Sequence, residues 1–412
     1  MDASSSPAAV KSELAATSPA DKPPLRLFLL LIAISAIGPL SLNIVMPALP
    51  GIAAALRTDF ATVQLILSFY LICMAGAQLA LGPLSDRFGR RTVLIGGLML
   101  AVVTSFGAML AATISTLVVA RGLQAFGASA GIVIGRAIIR DLYQRDQAAS
   151  MIGWVTMVIM VVPMIVPWLG GLLQASLGWE AIFACIGLFC TVVLAAVVIA
   201  LPETLKVRAG AGGVRRFLDE LRLLLTSRRF AGYALCCATG SAMFFGFLGG
   251  APHVVITQMG RSSVELGIWF ATGAAGYMVG NFISAKWSPR VGVDPMVTWG
   301  VAIGGLGAIS VVALVGFFPD AGPITIFLPQ FITALANGLL LPNSIAGAIS
   351  IRPQAAGTAA GITGFLQMSV GAAAAQTVSH FLEPAATAMP MAIIIAGFAA
   401  SCSLCYLALI RR

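Results

Sequence analysis

Twelve runs of about 20 apolar residues, separated by polar segments, dominate the chain. Inside a bilayer a backbone finds no water to bond, so each run has to satisfy its own N–H and C=O groups as a helix. The runs lie near residues 25–46, 60–81, 93–112, 116–139, 148–173, 178–201, 230–255, 264–285, 296–317, 323–349, 354–378 and 386–410. Hydrophobic residues make up 59% of the sequence and charged residues 9%, against roughly 25% charged in a water-soluble domain, and no soluble core absorbs that much apolar surface. The expected fold class is all-α, a polytopic protein of twelve transmembrane helices, several long enough to need tilt or kinks.

The net charge of +9 raises the question of a nucleic-acid partner, which the placement of the charges answers. Lys11, Lys22 and Arg26 precede the first run, Arg87, Arg90 and Arg91 follow the second, and Arg136, Arg140 and Arg145 close the fourth. Lys206, Arg208, Arg215, Arg216, Arg222, Arg228 and Arg229 separate the sixth and seventh, and Lys286, Arg290, Arg352, Arg411 and Arg412 continue the same side. The opposite side carries only Arg57 and Arg261. Short cationic loops stay in the cytoplasm, so this asymmetry predicts an even number of spans with both termini cytoplasmic. Nucleic-acid binding asks instead for a clustered basic groove with aromatics, and there is none.

Residues 1–24, rich in Ala, Ser and Pro, are expected to form a disordered cytoplasmic tail. Residues 202–229, the longest polar interruption, divide the spans into halves of six, 25–201 and 230–412, expected to be two pseudo-symmetric bundles. Within this linker Phe217, Leu218, Leu221, Leu224 and Leu225 recur at helical spacing among charges, which fits an amphipathic helix on the membrane surface; a plain tether fits as well. The seven cysteines all fall in apolar runs and read as packing residues. Cys402 and Cys405 are spaced C-x-x-C, but no second pair or nearby His completes a metal site, so neither metal nor cofactor is expected.

The halves echo each other. Gly82-Pro-Leu-Ser-Asp86-Arg87-Phe-Gly89-Arg90-Arg91 follows the second run, and Lys286-Trp-Ser-Pro-Arg290-Val-Gly292 follows the eighth. Gly82 and Gly89 would allow close backbone approach, Asp86 could face a helix N-terminus, and Arg87 and Arg90 could pair with an acidic group on the fourth span, for which Asp141, beside Arg140, is the natural partner. Arg121 lies within an apolar run with Gln124 three residues on. A guanidinium there is costly unless partnered or hydrated, so it is expected to face a cavity, although snorkelling to the surface is also open to it. Pro163 and Pro167 would kink the fifth span, and Gly170 and Gly171 would let it pack tightly.

The segment from Gly82 to Leu94 resembles motif A of the major facilitator superfamily, and Arg121 and Gln124, followed by Gly127 and Gly131, resemble its motif B. The Pro167-x-x-Gly170-Gly171 end is similar to a motif of the superfamily's antiporters. Gly135-Arg136-Ala-Ile-Ile-Arg140-Asp141-Leu-Tyr143, Gly178-Trp-Glu-Ala-Ile-Phe183, Pro202-Glu-Thr-Leu205, Leu341-Pro-Asn-Ser344, Gly357-Thr and Gly364-Phe-Leu-Gln367 narrow the likeness to its bicyclomycin-resistance (Bcr/CflA) branch, from about Leu25 onward. The resemblance implies the major facilitator fold in a bacterial inner membrane, working as a monomer, with export of small molecules by alternating access coupled to proton entry.

One departure bears on the driving force. In this branch the first span commonly ends Asp-x-Tyr-x-Pro, whereas here it reads Asn43-Ile-Val-Met-Pro47, and no Asp or Glu lies mid-span anywhere. Asp86 and Asp141 at one gate, or His253 and His380 near the other, are the remaining titratable groups. A proton-independent facilitator or importer of a small metabolite on the same fold is therefore the alternative reading. The expected cavity lining is Asn43, Tyr70, Arg121, Gln124, Phe245, Asn337, Asn343 and Gln367, and the expected gate is Gly82, Asp86, Arg87, Gly89, Arg90, Arg140 and Asp141. One buried cation without a carboxylate favours neutral or anionic amphiphiles over cations. An enzyme would need converging acid, base or metal groups, which two histidines and no buried carboxylate do not supply.

Overall fold

Lipid and protein interior both reward apolar side chains, so these runs propagate as long helices until a glycine, a proline or a polar loop stops them. A computed structural model describes residues 25–143, 147, 151–152, 154–155, 158–159, 161–205, 213–352 and 355–411. The tail expected at 1–24 lies outside the described residues. The spanning helices are α1 (Leu25–Asn43), α2 (Leu65–Phe88), α3 (Arg90–Met109), α4 (Ile114–Leu142), α5 (Val162–Leu177) and α6 (Trp179–Ala200). They continue with α7 (Arg228–Pro252), α8 (Ser263–Val291), α9 (Val293–Phe317), α10 (Ile324–Ser350), α11 (Ala356–Leu382) and α12 (Met389–Cys405).

Among the described residues ten stretches are long and apolar enough to cross a bilayer. Helix α5 covers 16 described residues, and α11 is long but built largely of Gly, Ala, Ser and Thr. The chain is thus an all-helical, multi-pass membrane protein.

Within each half the packing repeats. Helix α4 lies against α1, α2 and α3 as α10 lies against α7, α8 and α9, and α6 packs on α3 as α12 packs on α9. Spans one, four, seven and ten are 67%, 61%, 83% and 67% buried over their apolar stretches, against 33%, 39%, 33% and 22% for three, six, nine and twelve. The first set is therefore central and the second lipid-facing. The halves meet along α2 with α11 and α5 with α8.

Polar residues begin the helices by satisfying otherwise free N–H groups. Asp59 accepts from Thr62 N at 2.6 Å, Thr113 from Thr116 N at 3.2 Å, and Ser262 from Glu265 N at 3.1 Å. Helix α2 runs on beyond the end of its apolar run. It carries Asp86 and Arg87 in its last turn and ends at Gly89, whose φ of 100° the following helix starts from. The segment from Gly82 to Arg91 that follows the second apolar run is therefore mostly helical, because polar residues of good helix propensity continue a helix past its apolar part. Gly292, with φ 88°, makes the same junction between α8 and α9, which gives the sequence echo a structural basis.

A helix, Gly213–Leu225, occupies the linker. Its Leu224 is fully buried with Phe230, Ala355 and Ala359 while Leu223 and Leu225 are exposed, and Glu220 accepts from Thr358 Oγ1 at 2.5 Å. This helix is docked on the C-terminal half, at the start of α11.

Candidate functional site

Helix α4 sets Arg121 and Gln124 one turn apart on a shared face. Arg121 is completely buried, its guanidinium 4.2 Å from the centroid of the Tyr70 ring and 5.9 Å from that of Phe183. Its Nη1 donates to the Ser41 carbonyl at 3.1 Å and to Gln124 Oε1, and Gln124 Nε2 donates to Ser105 Oγ at 2.6 Å. Tyr70 is fixed in turn by donating to the Gly38 carbonyl at 3.1 Å. Helices α1, α2, α3, α4 and α6 thus converge on one cation. Arg121 Nε and Nη2 and the Ser41 hydroxyl have no partner among the described residues. Aromatic faces supply about 2 kcal/mol when desolvated, less than the several kcal/mol that burying a charge costs. The arrangement leaves two directed donors able to take a polar or anionic group.

The other expected lining residues fall in different surroundings. Asn43 ends α1 with its Nδ2 turned back on the Pro39 carbonyl at 2.8 Å. In the C-terminal half Asn337 is buried on α10 opposite Gly240 of α7, and among the described residues neither its amide atoms nor the Ser241 hydroxyl have a partner. Phe245 packs against Gly371 of α11 and edge-on to Phe244, 5.4 Å away, and Gln367 is half-buried. Asn343 is a fastener between α8 and α10, donating to Ser284 Oγ at 2.7 Å and accepting from Ser288 Oγ at 2.8 Å. So Tyr70, Arg121 and Gln124 form one cluster, Asn337 stands apart from it with its amide unpartnered among the described residues, and Asn343 is a helix-to-helix clasp.

At the basic end Arg90 is nearly buried and holds the turn together. Its Nε donates to Asp141 at 2.9 Å, and its Nη1 reaches Asp86 at 2.5 Å and Ser85 Oγ at 2.6 Å. Arg87 lies over the Phe88 ring at 5.3 Å, and Arg140 is exposed. Among the described residues nothing lies within 4 Å of a Cβ placed on Gly82, whereas one on Gly89 would strike Glu203. Glu203 was not among the expected gate residues. It accepts from the backbone N–H of Arg90 at 3.0 Å and of Arg91 at 3.2 Å, capping α3, and from Thr204 and Leu205 of its own loop. Substituting Glu203→Ala leaves those helix-start donors unsatisfied, so stability falls by about 1–2 kcal/mol with Glu203→Gln intermediate, read as a lower thermal midpoint in detergent.

The opposite, sparsely charged end is sealed. Glu383 accepts from Phe60 N at 2.9 Å and Ala61 N at 3.3 Å, Ser68 Oγ donates to Gln376 at 2.8 Å, and Gln376 Nε2 donates to the Ala61 carbonyl at 2.8 Å. Ser263 Oγ donates to the Gly171 carbonyl at 3.3 Å. Pro163 opens α5 and Pro167 lies within it, and its two glycines serve different partners. A Cβ on Gly170 would strike the Ile44 carbonyl of the same half, and one on Gly171 the Ser263 carbonyl of the other.

Two six-helix halves that touch along two helix pairs, bonded across their seam at one end and carrying in their central helices polar groups unpartnered among the described residues, define a membrane transporter of the alternating-access kind. The chain matches the family model "Major Facilitator Superfamily" over residues 31–375. It belongs to the Major Facilitator Superfamily, and within it to the Bcr/CflA branch. It is 33% identical over 323 residues to the "Chloramphenicol resistance protein" of Pseudomonas aeruginosa, covering 76% of each chain. It is 27% identical over 379 residues to the "Bicyclomycin resistance protein homolog" of Haemophilus influenzae, covering 89% of this chain and 91% of that one. Among solved structures, a bacterial homolog of the human lysosomal transporter Spinster superposes with TM-score 0.73 at 16% identity, over 95% of this chain and 99% of that one.

Proposed function

We propose that this transporter exports small, neutral or anionic amphiphilic molecules, antibiotics among them, across a bacterial inner membrane, working as a monomer with the basic end and both termini in the cytoplasm. The observation that carries the substrate class is Arg121, a buried cation with two free donors and no carboxylate beside it among the described residues. A low-dielectric site of that sign repels lipophilic cations and accepts a hydroxyl, nitro, carbonyl or carboxylate oxygen. Asn337 supplies a second polar anchor from the other half, Asn43, Gln124 and Gln367 add further polar groups, and Tyr70 and Phe245 supply aromatic surface. The halves 25–201 and 230–412 rock about this site while the Asp86–Arg90–Asp141 cluster holds the cytoplasmic turn. The relatives' resistance names support the export direction, and proton entry is the proposed driving force.

The test is transport in proteoliposomes with an imposed pH gradient. A neutral amphenicol is expected to accumulate against its gradient and a lipophilic monocation is not; equal transport of the monocation removes the substrate class. Asn43, standing where the first span of this branch commonly carries an Asp, favours a second reading, a facilitator that needs no protons. Collapsing the gradient separates the two, since uphill movement then stops in an antiporter while a facilitator shows none at any time.

A further inference from the structure

We propose that Glu383 is an outer latch, holding the halves closed while ionised and letting them part when it takes up a proton from the external side. The assignment of that side rests on the orientation proposed above. Asp86, Asp141 and Glu203 are engaged within the N-terminal half, and Glu265 and Asp294 within the C-terminal half. Glu383, at the end of α11, reaches instead across the seam to two backbone N–H groups, Phe60 at 2.9 Å and Ala61 at 3.3 Å, one on each carboxylate oxygen. It is half-buried beside an exposed Pro384, so water reaches it without the gate opening.

A carboxylate accepting two N–H bonds is a charge-assisted clasp, and adding a proton removes its charge and turns one acceptor into a donor facing N–H. The O–H bond forms with a proton from external water, and the same proton returns there on reclosure. Glu383 is therefore a positioning residue that senses external acid and carries no proton through the protein. Gln376, two turns earlier on α11, bonds across the same seam to Ser68 and Ala61 but cannot titrate, which makes it an internal control.

Three other titratable groups face this corner. His253, in the π-helical turn after α7, has its ring 4.6 Å from that of Phe60; its protonation adds a cation beside Glu383 and tightens the latch. Asp59 is adjacent in sequence to Phe60, and the Thr62 hydroxyl and N–H hold its carboxyl below the usual value. His380, one turn back on α11, is exposed and packs edge-on to Phe381.

Amide hydrogen exchange of the full-length protein in nanodiscs tests the latch without a substrate. It is followed in peptides covering 59–68 and 376–388, at about pH 7.5 and about pH 3.3, after correction for intrinsic rates. In the native protein exchange in both peptides rises on the order of tenfold on acidification, the gain expected one pH unit below the ordinary carboxyl value of an opened latch. Glu383→Gln should exchange fast at both pH values with no further response, whereas Gln376→Ala should exchange faster throughout yet keep it. A native pH response in Glu383→Gln, no response in the native protein, or a response lost only in His253→Gln overturns the proposal. Because none of these readouts needs transport, failure of the proteoliposome experiment leaves this one standing, and failure here leaves the export reading intact.

Discussion

Replacing Arg121 by methionine lowers transport at least about 100-fold, equivalent to about 2.7 kcal/mol of transport barrier, while the thermal midpoint stays level or rises. The two parts of this expectation have one origin. Arg121 is completely buried, with Nε and Nη2 unpartnered among the described residues, so it is a local cost to the fold that a side chain of similar volume removes. Stability and transport therefore move apart, where a merely structural residue would lose both. Arg121→Lys is expected to fail as well, because a single ammonium cannot serve the Ser41 carbonyl and Gln124 in the same plane and still lie over Tyr70. Native rates in the methionine variant, measured as substrate flux per reconstituted protein, would remove Arg121 from the pathway.

The neighbouring glycines of α5 give the second large effect. Gly170→Ala drives a Cβ into the Ile44 carbonyl, a clash with backbone that no rotamer relieves, so the N-terminal half loses about 1–3 kcal/mol and the thermal midpoint falls. Gly171→Ala makes the same kind of clash with the Ser263 carbonyl, but across the seam between the halves. Each half keeps its fold, and only the state sealed at the sparsely charged end is penalised, which shifts the balance toward the open state roughly 5- to 150-fold. The thermal midpoint then changes little while amides of 59–68 and 376–388 exchange faster. Equal loss of thermal stability in both variants would mean that α5 and α8 do not separate during the cycle.

These effects divide along the line between what periodicity reports and what proximity decides. The spans were legible because a helix in lipid must be apolar over about 20 residues, and their orientation was proposed from loop charges. Arg121 was legible as a lone charge in an apolar run, and Arg90 with Asp141 as a cation and an anion at matching ends of two spans. Glu203 was not: its residues of contact lie 112 and 113 positions earlier, and nothing local marks it as the cap of α3. Glu383 is more remote still, 323 positions from Phe60, and in sequence it is one acid in a loop. Asn343 looked like a cavity residue because polarity in an apolar run reads the same whether it faces a ligand or a neighbouring helix.

The sequence by itself determined that this chain is a bundle of membrane helices with a basic side, a central linker and an echo between its halves, since these follow from hydropathy, charge and repeat along one dimension. The tertiary structure alone decided which polar groups are satisfied and which are left over. A hydrogen bond is settled by a few ångströms of distance between residues whose separation in sequence carries no record of it.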